Sequence, residues 1–150
     1  MIKHSQIEIT NETCPISLGN NRYDSIRYHI KVAHRNDSGF GTLVKRSLDG
    51  QEFIEILPQL IGLKSSDVFA QIMDFFPNGY SSYPQQSTKR DEKLMRRGIG
   101  SSLLEKMLQD AEKKFSARAI GAFRCYPSFA SFLEKKGFAM IYSGAYYRLL

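Results

Sequence analysis

The sequence predicts an α/β (α+β) fold. Its mixed sheet begins as an antiparallel meander, continues through a β-α-β crossover and ends in C-terminal strands. Three observations carry this. Ile26, Tyr28, Ile30 and Val32 alternate with Arg27, His29 and Lys31, as in a half-buried strand with one charged face. Leu103, Leu104, Met107, Leu108, Ala111 and Phe115 recur at the spacing that lines one helix face. Just after them, Ala119-Ile120-Gly121-Ala122-Phe123 reads as a fully buried strand. Strand, crossover helix and strand in that order imply parallel pairing.

Taken in order, Gln6-Ile7-Glu8-Ile9-Thr10 alternates as a short first strand, and residues 11–24, rich in Asn, Gly, Pro and Ser, read as a loop. The strand at Ile26 follows. Asn36-Asp37-Ser38-Gly39 turns the chain into a third strand from Phe40 to about Lys45. Asp49-Gly50 is a hairpin signal, so Gln51 to Leu57 is predicted as the fourth strand, completing the meander. Val68, Phe69, Ile72, Met73 and Phe76 fit an amphipathic helix that Ser66 or Asp67 can cap. Both faces of this segment are largely apolar, so a strand is the alternative. Residues 77–93 have no sustained apolar period and form a long loop, which is either functional or a plain surface insertion. After the crossover, Pro127 and Ser128 open a helix with Phe129, Phe132 and Leu133 inward; Lys136-Gly137 ends it. Phe138 to Tyr142 and Tyr146 to Leu150 are the last two strands, joined by a Ser143-Gly144 turn.

At 150 residues the chain is expected to be a single domain, 1–150, with an insertion at about 59–94. No apolar run reaches membrane-spanning length and the N-terminus has no signal-peptide hydrophobic region. With only Cys14 and Cys125, this predicts reduced thiols and a cytoplasmic location. His4, His29 and His34 stand apart from both cysteines, so no metal site is expected. The net charge of +6 suits attraction to anions without choosing among cofactor phosphates, nucleic acid and acidic surfaces.

The crossover helix opens on Arg96-Arg97-Gly98-Ile99-Gly100-Ser101-Ser102. Two glycines one residue apart let the backbone turn sharply and expose its amide hydrogens. Those amides and the positive end of the helix dipole meet where two arginines arrive, which makes an anion site suited to a phosphate. The plain alternative is a turn before a core helix, with solvated arginines. The third glycine of a dinucleotide-binding fingerprint is absent, and so is the Gly-Lys-Ser/Thr of a P-loop.

The run Met95-Arg96-Arg97-Gly98-Ile99-Gly100 resembles the acetyl-CoA pyrophosphate loop of the GNAT (GCN5-related) N-acetyltransferases, Gln/Arg-x-x-Gly-x-Gly/Ala, with Met95 departing from Gln/Arg. Phe132-Leu133-Glu134-Lys135-Lys136-Gly137-Phe138 resembles their Phe-Tyr-Glu-Lys-x-Gly-Phe signature at the usual distance beyond that loop. Two motifs in the right order are more specific than either alone.

The resemblance implies acetyl-CoA as co-substrate, lying in a V-shaped split between the fourth and fifth strands. Its pyrophosphate would sit on the amides of Gly98, Ile99, Gly100, Ser101 and Ser102, beside Arg96 and Arg97. Its pantetheine would pair with the exposed backbone of the fourth strand near Leu57. A primary amine would attack the thioester directly in a ternary complex, so a base must take a proton from an ammonium of pKa about 10.4. Glu55, with Glu52 beside it, is the candidate base on the predicted fourth strand; if Val68 to Phe76 is that strand, the candidate is Asp74. His29 is a further option. The tyrosine that commonly protonates the thiolate in the family falls at Leu133, and the asparagine that often opens the second helix falls at Tyr126, whose hydroxyl can stand in. The two helices expected between the first and second strands do not fit into residues 11–24, so the insertion after Leu57 is a candidate cover for the acceptor pocket.

Three functions follow: an acetyltransferase acting on a small-molecule or protein amine, a CoA-binding regulatory module without catalysis, and a toxin-like acetyltransferase acting on aminoacyl-tRNA. The charge permits the third, but no base-stacking motif lies beside a basic stripe.

Overall fold

The computed structural model describes residues 7–32, 38–77 and 98–150. Seven strands form one mixed sheet in the order β1-β2-β3-β4-β5-β7-β6. They are β1 (Ile7–Leu18), β2 (Asn21–Val32), β3 (Ser38–Ser47), β4 (Val68–Phe76), β5 (Ala119–Ala122), β6 (Ala139–Tyr142) and β7 (Ala145–Leu149). The helices are α1 (Gln51–Ile54), α2 (Ile99–Phe115) and α3 (Pro127–Lys135), with a 3₁₀ turn at Leu57–Gln59. β1 to β4 pair antiparallel in sequence order, β4 and β5 pair parallel, and β5, β7 and β6 return to antiparallel pairing. The mixed α+β class, the meander and the crossover are as the sequence predicts.

The fourth strand is a correction. Gln51–Ile54 forms one helical turn and Leu57–Gln59 a 3₁₀ turn, while Val68–Phe76 is the strand that closes the meander. In α1 the Phe53 side chain is the anchor: it is buried against Phe69 and Phe123, at ring-centroid distances of 5.7 and 6.1 Å. One large inward residue between exposed neighbours is what a single helical turn presents. Val68–Phe76 is apolar on both faces because helices and turns cover the sheet on both sides. A second correction concerns residues 11–24. β1 runs to Leu18 and turns at Gly19-Asn20 straight into β2, with twelve cross-strand partners from Ile7↔Val32 to Leu18↔Asn21. Gly19 supplies the φ of +61° that the turn requires.

The sheet separates two cores. Ile26, Tyr28, Ile30, Leu43, Ala70, Ile72 and Ile120 pack against Leu103, Leu104 and Met107 of α2 and Leu133 of α3. On the other face, Leu48, Phe53, Leu60, Phe69, Ala119 and Tyr147 form a smaller cluster under the β3–β4 connection. Gly41 lets α2 sit close, since a Cβ there would stand 2.7 Å from Cε of Met107. Among the described residues, no helix is long and apolar enough to cross a membrane.

Candidate functional site

The parallel pair β4–β5 parts early. Its rungs are Phe69↔Ala119, Ala70↔Ile120 and Gln71↔Gly121, and β4 then runs on to Phe76. Just past the last rung, the β3 register jumps from Leu43↔Ile72 to Thr42↔Asp74, so Met73 is the extra residue of a β-bulge. A bulge bends its strand and increases its twist. The backbone of residues 72–76 is left without a partner on β5.

The first turn of α2 faces this gap. Gly98 precedes the helix at φ +79° and, as a glycine, brings no side chain to cap it. A Cβ built on Gly98 would meet nothing within 4 Å, whereas one on Gly100 would lie 3.7 Å from Phe75 and Pro77 and 3.8 Å from Phe132. The two glycines therefore differ: Gly98 opens outward, and Gly100 lets the helix start pack beneath an aromatic cluster. The amides of Ile99, Gly100 and Ser101 have no acceptor within their own helix. Ser102 N–H is already committed, donating 2.9 Å to the Gly98 carbonyl. Arg96 and Arg97 lie outside the described residues.

On the α2 side, three rings close the gap. Phe75 of β4 stacks on Phe129 of α3 at 4.8 Å and tilts against Phe132 at 5.7 Å. Strand alternation puts Asp74 on the opposite face, paired with Thr42, whose side chain is buried. Tyr126 stands at the N-cap of α3 and is 43% exposed. Beside it, Cys125 donates its backbone N–H to the Gly144 carbonyl at 2.8 Å, and burial pushes its thiol up to about 11. Leu133 is fully buried in the α2-side core. The next residue, Glu134, accepts a 2.9 Å hydrogen bond from the Tyr146 hydroxyl, tying α3 to β7.

Glu55 and Leu57 stand elsewhere. Glu55 is the exposed C-cap of α1, and Leu57 opens the 3₁₀ turn against the cluster of Phe53, Phe69 and Ala119. Those contacts belong to the closed end of the β4–β5 pair. Glu52 is held by Arg46, whose guanidinium also donates 2.6 Å to Oε1 of Gln71 and lies over the rings of Tyr23 and Phe53. Its own backbone N–H and the guanidinium keep the Glu52 carboxyl below its ordinary range. His29 is on β2, half-exposed and 3.8 Å from Glu12. Of the candidate bases, only Asp74 is on the strand that borders the gap. The bulge and the ring cluster had no signal in the pattern of residues 68–76, where a helical period fits as well as a strand.

No protein-family model matches the chain, and no curated protein matches it. Among the described residues, no three His, Cys, Asp or Glu side chains converge as a metal site.

Proposed function

We propose that the protein is an acyl-CoA-dependent N-acetyltransferase that moves an acetyl group from acetyl-CoA to a primary amine by direct attack. The observation that carries this reading is that β4–β5 pairing ends at Gln71 and Gly121, with the first turn of α2 packed against Phe75 beside that end. In this reading the β4 backbone beyond its β5 rungs takes an extended amide-containing arm, and the helix start takes its phosphates. The two sequence motifs that resemble the GNAT family fall on these elements: the glycine loop on the start of α2, the second signature on α3.

In this reading Gly98, Ile99, Gly100 and Ser101 hold the pyrophosphate through their amides, with Arg96 and Arg97 adding charge. Residues 72–76 replace Leu57 as the backbone beside the pantetheine. Asp74 replaces Glu55 as the base, because it sits at the bulge where the thioester would lie. Asp74 takes a proton from the ammonium, the neutral amine adds to the thioester carbon, and the C–S bond breaks as the second nitrogen proton goes to the departing thiolate, giving the amide and the thiol of CoA. The Cys reference of about 8.5 marks a thiol able to leave as thiolate near neutral pH, so a donor at Leu133 is not required.

The burial of Leu133 favours a second reading, a CoA-binding module without catalysis. Calorimetry with acetyl-CoA, followed by an acceptor screen with thiol detection, separates the two. Binding with thiol release supports the enzyme, binding without release across small amines, peptides and aminoacyl-tRNA supports the module, and absence of binding removes both.

A further inference from the structure

We infer that the site takes an acetyl group and turns away longer acyl chains, with Phe69 and Phe123 forming the stop where β4–β5 pairing ends. This rests on the acyl-transfer reading and names the donor class of the same site. In that reading the phosphates sit at the start of α2, which packs beside Phe75 and Pro77 at the far end of β4. The arm runs back along residues 76 to 72, so its acyl end comes to the last rung, Gln71↔Gly121. What fills that rung decides how long an acyl chain the site takes.

Both faces of the sheet are filled there. On the α2 side, the next residues of the two strands are Ile72 and Ala122, which are 4% and 2% exposed and belong to one core with Leu133. On the other side, the fully buried Phe69 ring lies over Gly121. A Cβ on that glycine would stand 3.3 Å from Cε1 of Phe69 and closer still to Cζ. Phe123, two residues past Gly121, holds its ring 6.0 Å from Phe69 and 6.1 Å from Phe53. The three rings pack on one another in the smaller core, so none swings aside without opening it. Butyryl carries two more methylenes than acetyl, and each must displace packed atoms. The stop is one of shape alone, since every side chain that forms it is apolar.

The test is calorimetry of the full chain with acetyl-CoA, butyryl-CoA and free CoA. The wild type should bind butyryl-CoA about tenfold or more weakly than acetyl-CoA. Phe123→Ala removes the nearer ring of the stop and should narrow that ratio by about three- to tenfold. Phe123→Leu serves if Phe123→Ala does not fold, with a smaller change in the same direction. Met107→Ala opens a cavity elsewhere, where α2 packs over Gly41 of β3, and should leave the ratio as it is. Equal binding of acetyl-CoA and butyryl-CoA by the wild type overturns the proposal and leaves the acyl-transfer reading standing. The same holds for Phe123 variants that keep the wild-type ratio, and for a Met107→Ala that narrows it as much as they do. Failure to bind any of the three ligands removes the acyl-transfer reading, and this proposal with it.

Discussion

The Tyr28 hydroxyl donates a 2.8 Å hydrogen bond to Oδ2 of Asp110, joining β2 to α2 across 82 residues of chain. Tyr28 is fully buried and Asp110 is 3% exposed. Lys106 and Lys114 approach Oδ1 of Asp110 at 3.8 and 4.0 Å. A carboxylate on the inner face of α2 is thus satisfied from both sides, by a phenol beneath and two lysines at the rim. That pairing fixes the rotation and height of α2 over the sheet, and with them the place of its first turn.

The first prediction tests this link. Tyr28→Phe leaves a buried carboxylate oxygen without its donor and should cost about 1–3 kcal/mol in urea unfolding. Asp110→Asn keeps an acceptor for the phenol and should cost less. The pH dependence has a definite sign. Burial first, and the Asp110 carboxylate second, hold the Tyr28 phenol far above its ordinary value of 10.0. The folded state therefore keeps a proton that the unfolded chain gives up above about 10. Stability is intact below that pH and falls as pH rises through it, and Tyr28→Phe should flatten the alkaline limb.

The second prediction concerns the last rung before the gap. A Cβ on Gly121 would stand 2.5 Å from the Tyr146 carbonyl oxygen, and closer still to the ring tip of Phe69. A backbone oxygen held in a sheet cannot step aside, so Gly121→Ala should destabilise by about 1–3 kcal/mol, the usual range for overpacking. Adding Phe69→Leu relieves only the ring contact. The double variant should therefore recover part of the melting temperature lost to Gly121→Ala and no more. Full recovery would show that the carbonyl contact costs nothing.

The parts of this fold that were legible in the sequence are those where one period dominates. α2 has a single apolar face, and β2 alternates between core and solvent. At Val68–Phe76 the pattern fails because two cores bury both faces of the strand: Ala70 and Ile72 under α2, Phe69 under Phe53. With only Gln71 and Asp74 polar among nine residues, a period of two leaves little trace. Gln51–Leu57 misleads for the opposite reason, since Asp49-Gly50 resembles a hairpin turn while Phe53 alone is needed to dock a short helix. Along 11–18, polar residues of β1 face solvent at a sheet edge, so pairing with β2 outweighs poor strand composition. For the site, Gly98 and Gly100 were legible as a helix-start motif. Asp74 was legible only once the fourth strand was known.

The third prediction separates the two glycines. Gly98 takes φ +79° and opens outward, so Gly98→Val combines backbone strain with a side chain where phosphate would approach. Acetyl-CoA affinity should fall with little change in the packing of α2. Gly100→Ala adds a methyl at ordinary contact distances from Phe75, Pro77 and Phe132, and should bind acetyl-CoA nearly as the wild type does. Gly100→Leu must displace those rings and should lower stability first. Calorimetry and melting curves on the three variants check the order. A Gly98 variant with unchanged affinity would remove the phosphate site.

The fourth prediction is catalytic. The amine must lose a proton before it can attack, and a lysine-like ammonium holds that proton until about pH 10.4. Turnover should therefore rise with pH across the neutral range. Asp74 lies at the bulge of β4 and is the proposed base. General-base assistance is worth about 10²–10⁴-fold, so Asp74→Asn should lower kcat by that order and leave acetyl-CoA affinity in place. Glu55→Gln alters an exposed cap at the far end of the β3–β4 connection and should turn over as the wild type does. Tyr126→Phe, at the start of α3, should have a smaller effect than Asp74→Asn. The pH profile distinguishes chemistry from binding. Loss of a base makes the variant depend more steeply on free amine, so its deficit should shrink as pH approaches the pKa of the amine. A constant deficit at every pH would mean that Asp74 holds the acceptor without taking its proton, and an unchanged kcat would leave water as the proton's route.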